Sequence, residues 1–198
     1  GKIVYEFDKI LLPTYDVFDE KRYFKSGEVP SVFPLYIKGK KVKIGVQVCE
    51  DLWDDKYDLK VSNIQKQNGA DLIINISASP FRENKFKDRV NLVRSKVNEI
   101  KIPFLYCNLV GAQDELVFDG SSFALDKNGD CISHCKSFEE DILYIDLASH
   151  STKHIKYATK CEDLFNALCL GIKDYFEKTK NKEAVIGLSG GIDSAVVA

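Results

Sequence analysis

The chain has 198 residues, with 44% hydrophobic and 29% charged content, an ordinary balance for a globular protein with room for one good domain and part of another. Its 28 basic and 30 acidic residues give a formal net charge of -2, which argues against the basic face that general nucleic-acid binding needs, and no apolar run approaches membrane-spanning length. No secretory signal opens the sequence and its 6 cysteines are scattered rather than framed, so a reducing, cytoplasmic setting is expected; the lack of Met even at position 1 and the apolar close Ala195-Val-Val-Ala198 predict a segment of a longer protein.

Lys2 to Phe7 alternates apolar residues and predicts a strand. Lys9 follows, just before an apolar run closed by Pro13. It reads either as a solvated surface lysine or as a strand-end ammonium placed to donate to a developing oxyanion. Asp16 to Phe24 mixes aromatic and charged residues and predicts a loop over the sheet edge, and Gly27 to Pro34 is rich in turn formers. Leu35 to Ile37 and Val42 to Val48 predict a hairpin across Lys38-Gly-Lys-Lys41.

That second run, Ile44 to Val48, is a short apolar strand that ends abruptly at Cys49-Glu-Asp51. A strand-end cysteine is commonly core filling. A purely structural end of strand has no need of two acids beside a thiol, however, and both acids raise the thiol pKa. A nucleophilic Cys49 therefore requires a cation from elsewhere in the chain.

Lys56 to Gly69 predicts a helix with Leu59, Val61 and Ile64 near one face and Gly69 as its stop. Asp71 to Ile76 predicts a buried strand ending at Ser77-Ala-Ser79-Pro-Phe81. Lys85 to Ile100 predicts a helix with Val90, Val93, Val97 and Ile100 near helical spacing, and Pro103 to Leu109 the next strand. Cys49 and Ser79 then stand at the ends of successive strands and face one cleft if those strands are neighbours. Glu115 to Phe118, Ser121 to Leu125, Cys131 to Cys135 and Ile142 to Ile145 predict short meander strands completing a sandwich. Cys131, His134 and Cys135 cluster as zinc ligands do, but alternate strand faces and the missing fourth ligand argue against a metal site.

Ser149 to Lys160 has little hydrophobic pattern and predicts a linker. Cys161 to Phe176 predicts an amphipathic helix with Leu164, Phe165, Leu168, Ile172 and Phe176 as its stripe. Glu183 to Leu188 predicts a fresh strand running into Ser189-Gly-Gly-Ile-Asp-Ser194. Two glycines in a strand-to-helix turn let successive N–H groups point into a concavity that suits phosphate oxygens. The other reading is an ordinary tight turn with Asp193 capping the helix.

Gly187-Leu-Ser-Gly-Gly-Ile-Asp-Ser194 resembles the PP-loop of the ATP pyrophosphatase family. The resemblance implies an ATP-binding loop made of Gly187, Leu188, Ser189, Gly190, Gly191, Ile192, Asp193 and Ser194. Lys9-Ile-Leu-Leu-Pro-Thr-Tyr15, Gly45-Val-Gln-Val-Cys-Glu-Asp-Leu-Trp53, Asn75-Ile-Ser-Ala-Ser-Pro-Phe81 and Asn108 to Gly120 resemble the later part of a nitrilase-superfamily domain. That superfamily uses a Glu, Lys, Cys triad. Lys9 and Cys49 match its second and third members. The Glu is expected well upstream of Lys9, and Glu6 is not assigned to the role.

A nitrilase-type amidase followed by a PP-loop domain is similar to the glutamine-dependent NAD synthetase family. The resemblance implies an α/β fold: a nitrilase-like four-layer αββα sandwich, incomplete at its N-terminal side, over residues 1–148. Residues 149–182 are then a linker and connecting helix, and 183–198 the first strand, loop and helix start of an adenine-nucleotide α-hydrolase-like domain. It implies glutamine hydrolysis at Cys49 with Lys9, and glutamine contacts from Tyr15, Ser79 and Lys85; a glutamine site must also grip an α-ammonium, for which Glu50 is the expected partner, with Trp53 expected to line the pocket. For Tyr15 and Trp53, simple packing is the other reading.

The same resemblance implies ATP and nicotinic acid adenine dinucleotide as further substrates, Mg2+ with ligands not assignable here, no nucleic-acid or membrane partner, and a homo-oligomer. Transfer of ammonia between two sites predicts a dry path, with the 149–160 stretch and the helix after it seating one domain on the other. A stand-alone amidase and a non-catalytic nitrilase-like scaffold are the alternatives.

Overall fold

β1 (Val32–Ile37) and β2 (Lys40–Val48) pair antiparallel, from Val32 opposite Gly45 to Ile37 opposite Lys40. The computed structural model describes residues 3–37, 39–147 and 151–198. Lys38, within the expected hairpin turn, and Ser149, at the start of the expected linker, lie outside them, as does Lys2.

From β2 the chain passes through α1 (Val61–Gln67) to β3 (Leu72–Ser77), then through α2 (Lys85–Ile100) to β4 (Phe104–Asn108). β2, β3 and β4 are mutually parallel neighbours, with Val48 opposite Ile76 and Ser77 opposite Asn108. β7 (Phe123–Leu125) and β8 (Cys131–His134) extend the sheet antiparallel, giving the order β1-β2-β3-β4-β7-β8. β5 (Val110–Gln113) and β6 (Leu116–Asp119) form a separate two-stranded ribbon.

The apolar stripe of α2 explains its seat. Val90, Val93, Val97 and Ile100 are buried against Ile73, Phe104, Tyr106, Phe123 and Leu125 in the main core. α1 is fixed by polar groups as well as by Val61, which is buried with Ile10 and Leu11. Gln47 Nε2 donates to Ser62 Oγ (2.9 Å) and Gln65 Oε1 (3.0 Å), while Gln65 Nε2 donates to the Val46 carbonyl (2.8 Å). A Cβ on Gly45 would meet the Gln65 amide at 2.9 Å, so glycine is what lets helix and strand approach here.

The helix expected over 56–69 is shorter, because Asp54 Oδ2 accepts the Val61 N–H (2.9 Å) and starts the helix there. Residues before it make 3-10 turns over Cys49–Leu52 and Asp54–Lys56. Lys96 from α2 reaches down to ion-pair with Asp54 and, at 2.7 Å, with Asp55.

Three expected strands are not formed. Residues 3–7 stay outside the ladder, although Tyr5 stacks on Phe33 at 4.8 Å. Ile142 to Ile145 and Glu183 to Leu188 are irregular, with Ile142, Tyr144, Val185 and Leu188 exposed. Each has a strand-like composition, but none has a partner strand among the described residues, and a strand without a ladder leaves its backbone to water. The described residues thus supply a six-stranded sheet with its helix layer, and a two-stranded ribbon, toward the expected four layers, while the strand expected over 183–188 is not formed.

α3 (Lys160–Thr179) carries a capping box, in which Thr159 Oγ1 accepts from Glu162 N and Glu162 Oε2 accepts from Thr159 N. Its expected stripe is not the face it packs. Leu164, Phe165, Leu168 and Ile172 are exposed, whereas Ala167 and Leu170 are buried with Phe138 against the β5–β6 ribbon. Asp174 fixes that choice by accepting the Ala112 N–H (2.7 Å).

The stretch before α3 is a strap: Lys153 N donates to the Cys131 carbonyl (2.7 Å) and Tyr157 packs on Phe86 at 5.5 Å. α4 (Ile192–Val197) begins at the second glycine of the Ser189–Ser194 loop. No helix among the described residues is long and apolar enough to cross a membrane.

Candidate active site

The parallel run β2-β3-β4 brings three strand ends to one edge: Cys49 after Val48, Ser79 just beyond Ser77, and Asn108 at the end of β4. Carboxyl ends of parallel strands are where open α/β sheets bind ligands. Cys49 has φ +46°, a left-handed conformation that a non-glycine residue rarely adopts, and it turns the chain straight from the strand into a 3-10 turn.

A cavity of about 140 Å3 opens there. Cys49, Tyr15, Glu50, Trp53, Ser79 and Lys85 all line it, so every residue expected around the thiol except Lys9 reaches one space. Lys9 acts on the thiol from beside the cavity. Burial pushes the Cys49 thiol above its usual range. The charge of Lys9 is the largest influence pulling it back down, followed by the nearby Ser77 side chain and Ala78 backbone, while Glu50 pushes it up.

Lys9 is held by a residue the sequence did not single out. Its Nζ donates to both carboxylate oxygens of Glu20, at 2.7 and 2.6 Å. Glu20 comes round because its own N–H donates to the Pro13 carbonyl (3.0 Å), closing the loop expected over 16–24. One acid among the charges of that loop carries no spacing signal.

The two acids after Cys49 do different things. Asp51 is fully buried and structural. Its Oδ1 accepts the N–H groups of Ile10 (3.0 Å) and Leu11 (2.7 Å), and its Oδ2 that of Val48 (2.9 Å). It therefore splices the segment carrying Lys9 to the strand carrying Cys49. A strand end can thus need an acid for structure alone, contrary to expectation, and Asp51 is that acid.

Asp51→Ala leaves the buried N–H groups of Ile10 and Leu11 unpaired at about 1–3 kcal/mol each, together with the part-buried N–H of Val48. Denaturant melts of the full-length protein should show unfolding free energy lowered by at least ~2 kcal/mol on that basis. A loss below ~1 kcal/mol would mean that water replaces the carboxylate.

Glu50 is 4% exposed and accepts from Tyr15 Oη (2.6 Å at Oε2) and Tyr57 Oη (3.0 Å at Oε1). Burial, then the hydrogen bond to Glu50, raises the Tyr15 phenol out of its usual range. Lys85 Nζ stands 4.0 Å from the centre of the Trp53 ring, a cation–π seat, and burial lowers its pKa with help from Arg82 and Arg89.

Ser79 is locked from behind. Its Oγ accepts from Arg89 Nε (3.2 Å), its carbonyl from Arg89 Nη2 (2.7 Å), and its N–H donates to Asn108 Oδ1 (2.9 Å). Arg89 is fully buried and paired with Asp119 at 2.7 Å. With its lone pairs facing Arg89, the Ser79 hydroxyl keeps its own proton to donate.

The second predicted site lies elsewhere. None of Gly187 to Ser194 lines the Cys49 cavity. The loop is drawn tight by its two serines: Ser189 N donates to Ser194 Oγ (3.3 Å), and Gly191 N to Ser189 Oγ (3.3 Å). Gly190 has φ +83°, which glycine alone adopts readily, and a Cβ there would meet nothing within 4 Å. The loop is thus open to a ligand on the side that the glycines face. Among the described residues, no group of three or more His, Cys, Asp or Glu could hold a metal ion.

The Carbon-nitrogen hydrolase family model matches residues 1–157, and the NAD synthase model matches residues 164–198. The chain is 41% identical over 211 residues to the glutamine-dependent NAD(+) synthetase of Synechocystis sp., covering 100% of this chain and 37% of that protein. It is 35% identical over 235 residues to the Thermotoga maritima enzyme of the same name, covering 100% of this chain and 40% of that protein.

In three dimensions it resembles the glutamine-dependent NAD+ synthetase of Acinetobacter baumannii, solved in complex with ADP. There the TM-score is 0.85 with 32% identity, over 98% of this chain and 36% of that one. A carbon-nitrogen hydrolase from Helicobacter pylori G27 shares the fold, at TM-score 0.56 and 24% identity over 67% of this chain and 48% of that one. The chain spans 37% and 40% of the length of the two curated relatives.

Proposed function

Because the chain belongs to the carbon-nitrogen hydrolase family and has the nitrilase-like fold, we propose that its Cys49 cavity hydrolyses the side-chain amide of glutamine and feeds the ammonia to a glutamine-dependent NAD synthesis. The observation that carries this reading is the convergence of a thiol, a fixed ammonium and a zwitterion's two opposite anchors at one strand edge.

Glutamine lies with its α-carboxylate toward Ser79 and Lys85 and its α-ammonium toward Glu50. Tyr15 and Trp53 wall the chain between. The Cys49 thiolate attacks the amide carbon, forming a carbon–sulfur bond as the carbonyl pair moves to oxygen, and the Lys9 ammonium stabilises that oxyanion. The pair returns, the carbon–nitrogen bond breaks, and ammonia leaves with a proton from a general acid. Water then cleaves the thioester to glutamate. The family's Glu, which would move these protons, is assigned to no residue of this chain.

The second half of the reading is supported by the NAD synthase match over 164–198 and by the open Ser189–Ser194 loop. The carboxylate of nicotinic acid adenine dinucleotide attacks the α-phosphorus of ATP to give an acyl-AMP mixed anhydride, with pyrophosphate released, and ammonia attacks the acyl carbon and displaces AMP to give NAD. ATP enters as a substrate on Gly187 to Ser194. The described residues offer no group of three or more His, Cys, Asp or Glu fit to hold Mg2+.

The amidase unit runs over 1–148, the connection over 149–182 and the start of the synthetase unit over 183–198. The NAD synthase match begins at residue 164, inside α3, and so takes in part of that connection.

Phe81, Arg82 and Lys85 line both the Cys49 cavity and a second one of about 100 Å3 whose walls include Lys156, Tyr157 and Asp163. That adjacency supports an ammonia path toward the strap and α3. The six unpaired cysteines support a cytoplasmic setting, and a homo-oligomer follows from the family alone.

The full-length enzyme should form NAD from nicotinic acid adenine dinucleotide, ATP and glutamine. Asp193→Ala should lower that rate with both glutamine and ammonium as nitrogen donor, since both reactions share the adenylation step that the Ser189–Ser194 loop serves. Loss with glutamine alone would remove the loop from ATP binding.

A further inference from the structure

Glu50 stands between two cavities. Beside the Cys49 cavity lies one of about 410 Å3, which shares Tyr15, Glu50, Trp53 and Lys85 with it. What the larger one adds is a floor that includes Tyr57.

Two phenols hold the buried Glu50 carboxylate, Tyr15 at one oxygen and Tyr57 at the other. A carboxylate offers about four acceptor positions, so each oxygen keeps about one toward the cavities. Among the described residues no Lys or Arg pairs with Glu50. A buried carboxylate without a cation is costly unless its partner arrives with the ligand.

We propose that Tyr57 is a positioning residue that sets amino-acid specificity: with Tyr15 it clamps Glu50 at both oxygens and aims the remaining lone pairs at the substrate's α-ammonium. This rests on the glutamine-amidase reading of the Cys49 cavity.

The ring of Tyr57 is anchored independently, packed against Ile10, Leu11 and Val61. Only its hydroxyl reaches Glu50, so Phe in its place keeps the packing and deletes the clamp. The phenol stays protonated and donating across the working range, its pKa pushed up to about 12 by burial and by the hydrogen bond to Glu50. Held at one oxygen only, the carboxylate turns about its broad terminal torsion and loses its aim.

The test compares full-length wild type and Tyr57→Phe on glutamine and on glutaramate, which has the same amide and carboxylate but hydrogen where glutamine carries its ammonium. A charge-assisted hydrogen bond sets the scale. The kcat/KM for glutamine should fall about tenfold, mainly through KM, and that for glutaramate less than about twofold, so the discrimination ratio falls at least ~fivefold. If glutaramate turns over too slowly, its inhibition constant against glutamine gives the same ratio.

Equal losses on both compounds would assign Tyr57 to packing alone, and an unchanged ratio likewise overturns the proposal. A wild type that releases no ammonia from glutamine would defeat the amidase reading first, and this inference with it.

Discussion

Cys49→Ala in the full-length enzyme is expected to abolish NAD formation from glutamine and to leave formation from added ammonium salts within about twofold of wild type, because only one donor depends on the nucleophile. Loss of an acyl-transfer nucleophile costs about 10^4-fold or more, since what survives is the background from binding and oxyanion contacts. The substitution is gentle otherwise. Cys49 is half-buried, Ala removes one atom into an existing cavity, and the strand and turn around it are tied by Asp51 rather than by the thiol.

NAD formation with each nitrogen source, measured beside thermal stability, checks this. Parallel loss with both donors would refute the division of labour between the Cys49 cavity and the Ser189–Ser194 loop. Survival of the glutamine reaction would remove Cys49 from the chemistry altogether.

Much of the site could be read from residue order, for a reason visible in the ladder. The strand-helix-strand rhythm from Val42 to Leu109 predicts parallel neighbours, and neighbours put the ends of β2 and β3 at one edge. Cys49 and Ser79 therefore converge by topology, with no fine geometry needed.

Glu20 and Tyr57 were not legible, since each depends on how an irregular segment folds back. Glu20 returns through the loop closed on Pro13, and Tyr57 faces Glu50 because the helix starts at Val61 rather than at Lys56. The shortened helix follows from Asp54 taking the Val61 N–H while pairing with Lys96, 42 residues further along, a contact that local periodicity cannot report. The same limit explains the strands expected at 3–7 and 183–188. Alternation records that a segment could pair, and pairing also needs a neighbour.

Lys9→Ala should lower kcat/KM for glutamine by about 10^3-fold or more, through two separable effects. Removing the oxyanion donor accounts for about 10^2–10^3. The remainder comes from the thiol. Attack requires the deprotonated sulfur, and burial already holds Cys49 above its usual pKa, with the Lys9 charge as the largest counterweight.

Taking that charge away pushes the thiol higher. The thiolate fraction at neutral pH then drops, and the rising limb of glutaminase activity moves to more alkaline pH than in wild type. Glu20 loses its partner but is not fully buried, its side chain being 23% exposed, so the stability loss should be modest and ammonium-dependent synthesis should persist.

A pH profile of glutamine kcat/KM for both proteins separates the effects. A large loss with the limb unmoved would confine Lys9 to the oxyanion, and a displaced limb with near-wild-type activity on its alkaline plateau would confine it to tuning the thiol. Retention of activity within tenfold across the whole range would show that neither role belongs to Lys9, and that the 2.6 Å pair with Glu20 only shapes the loop.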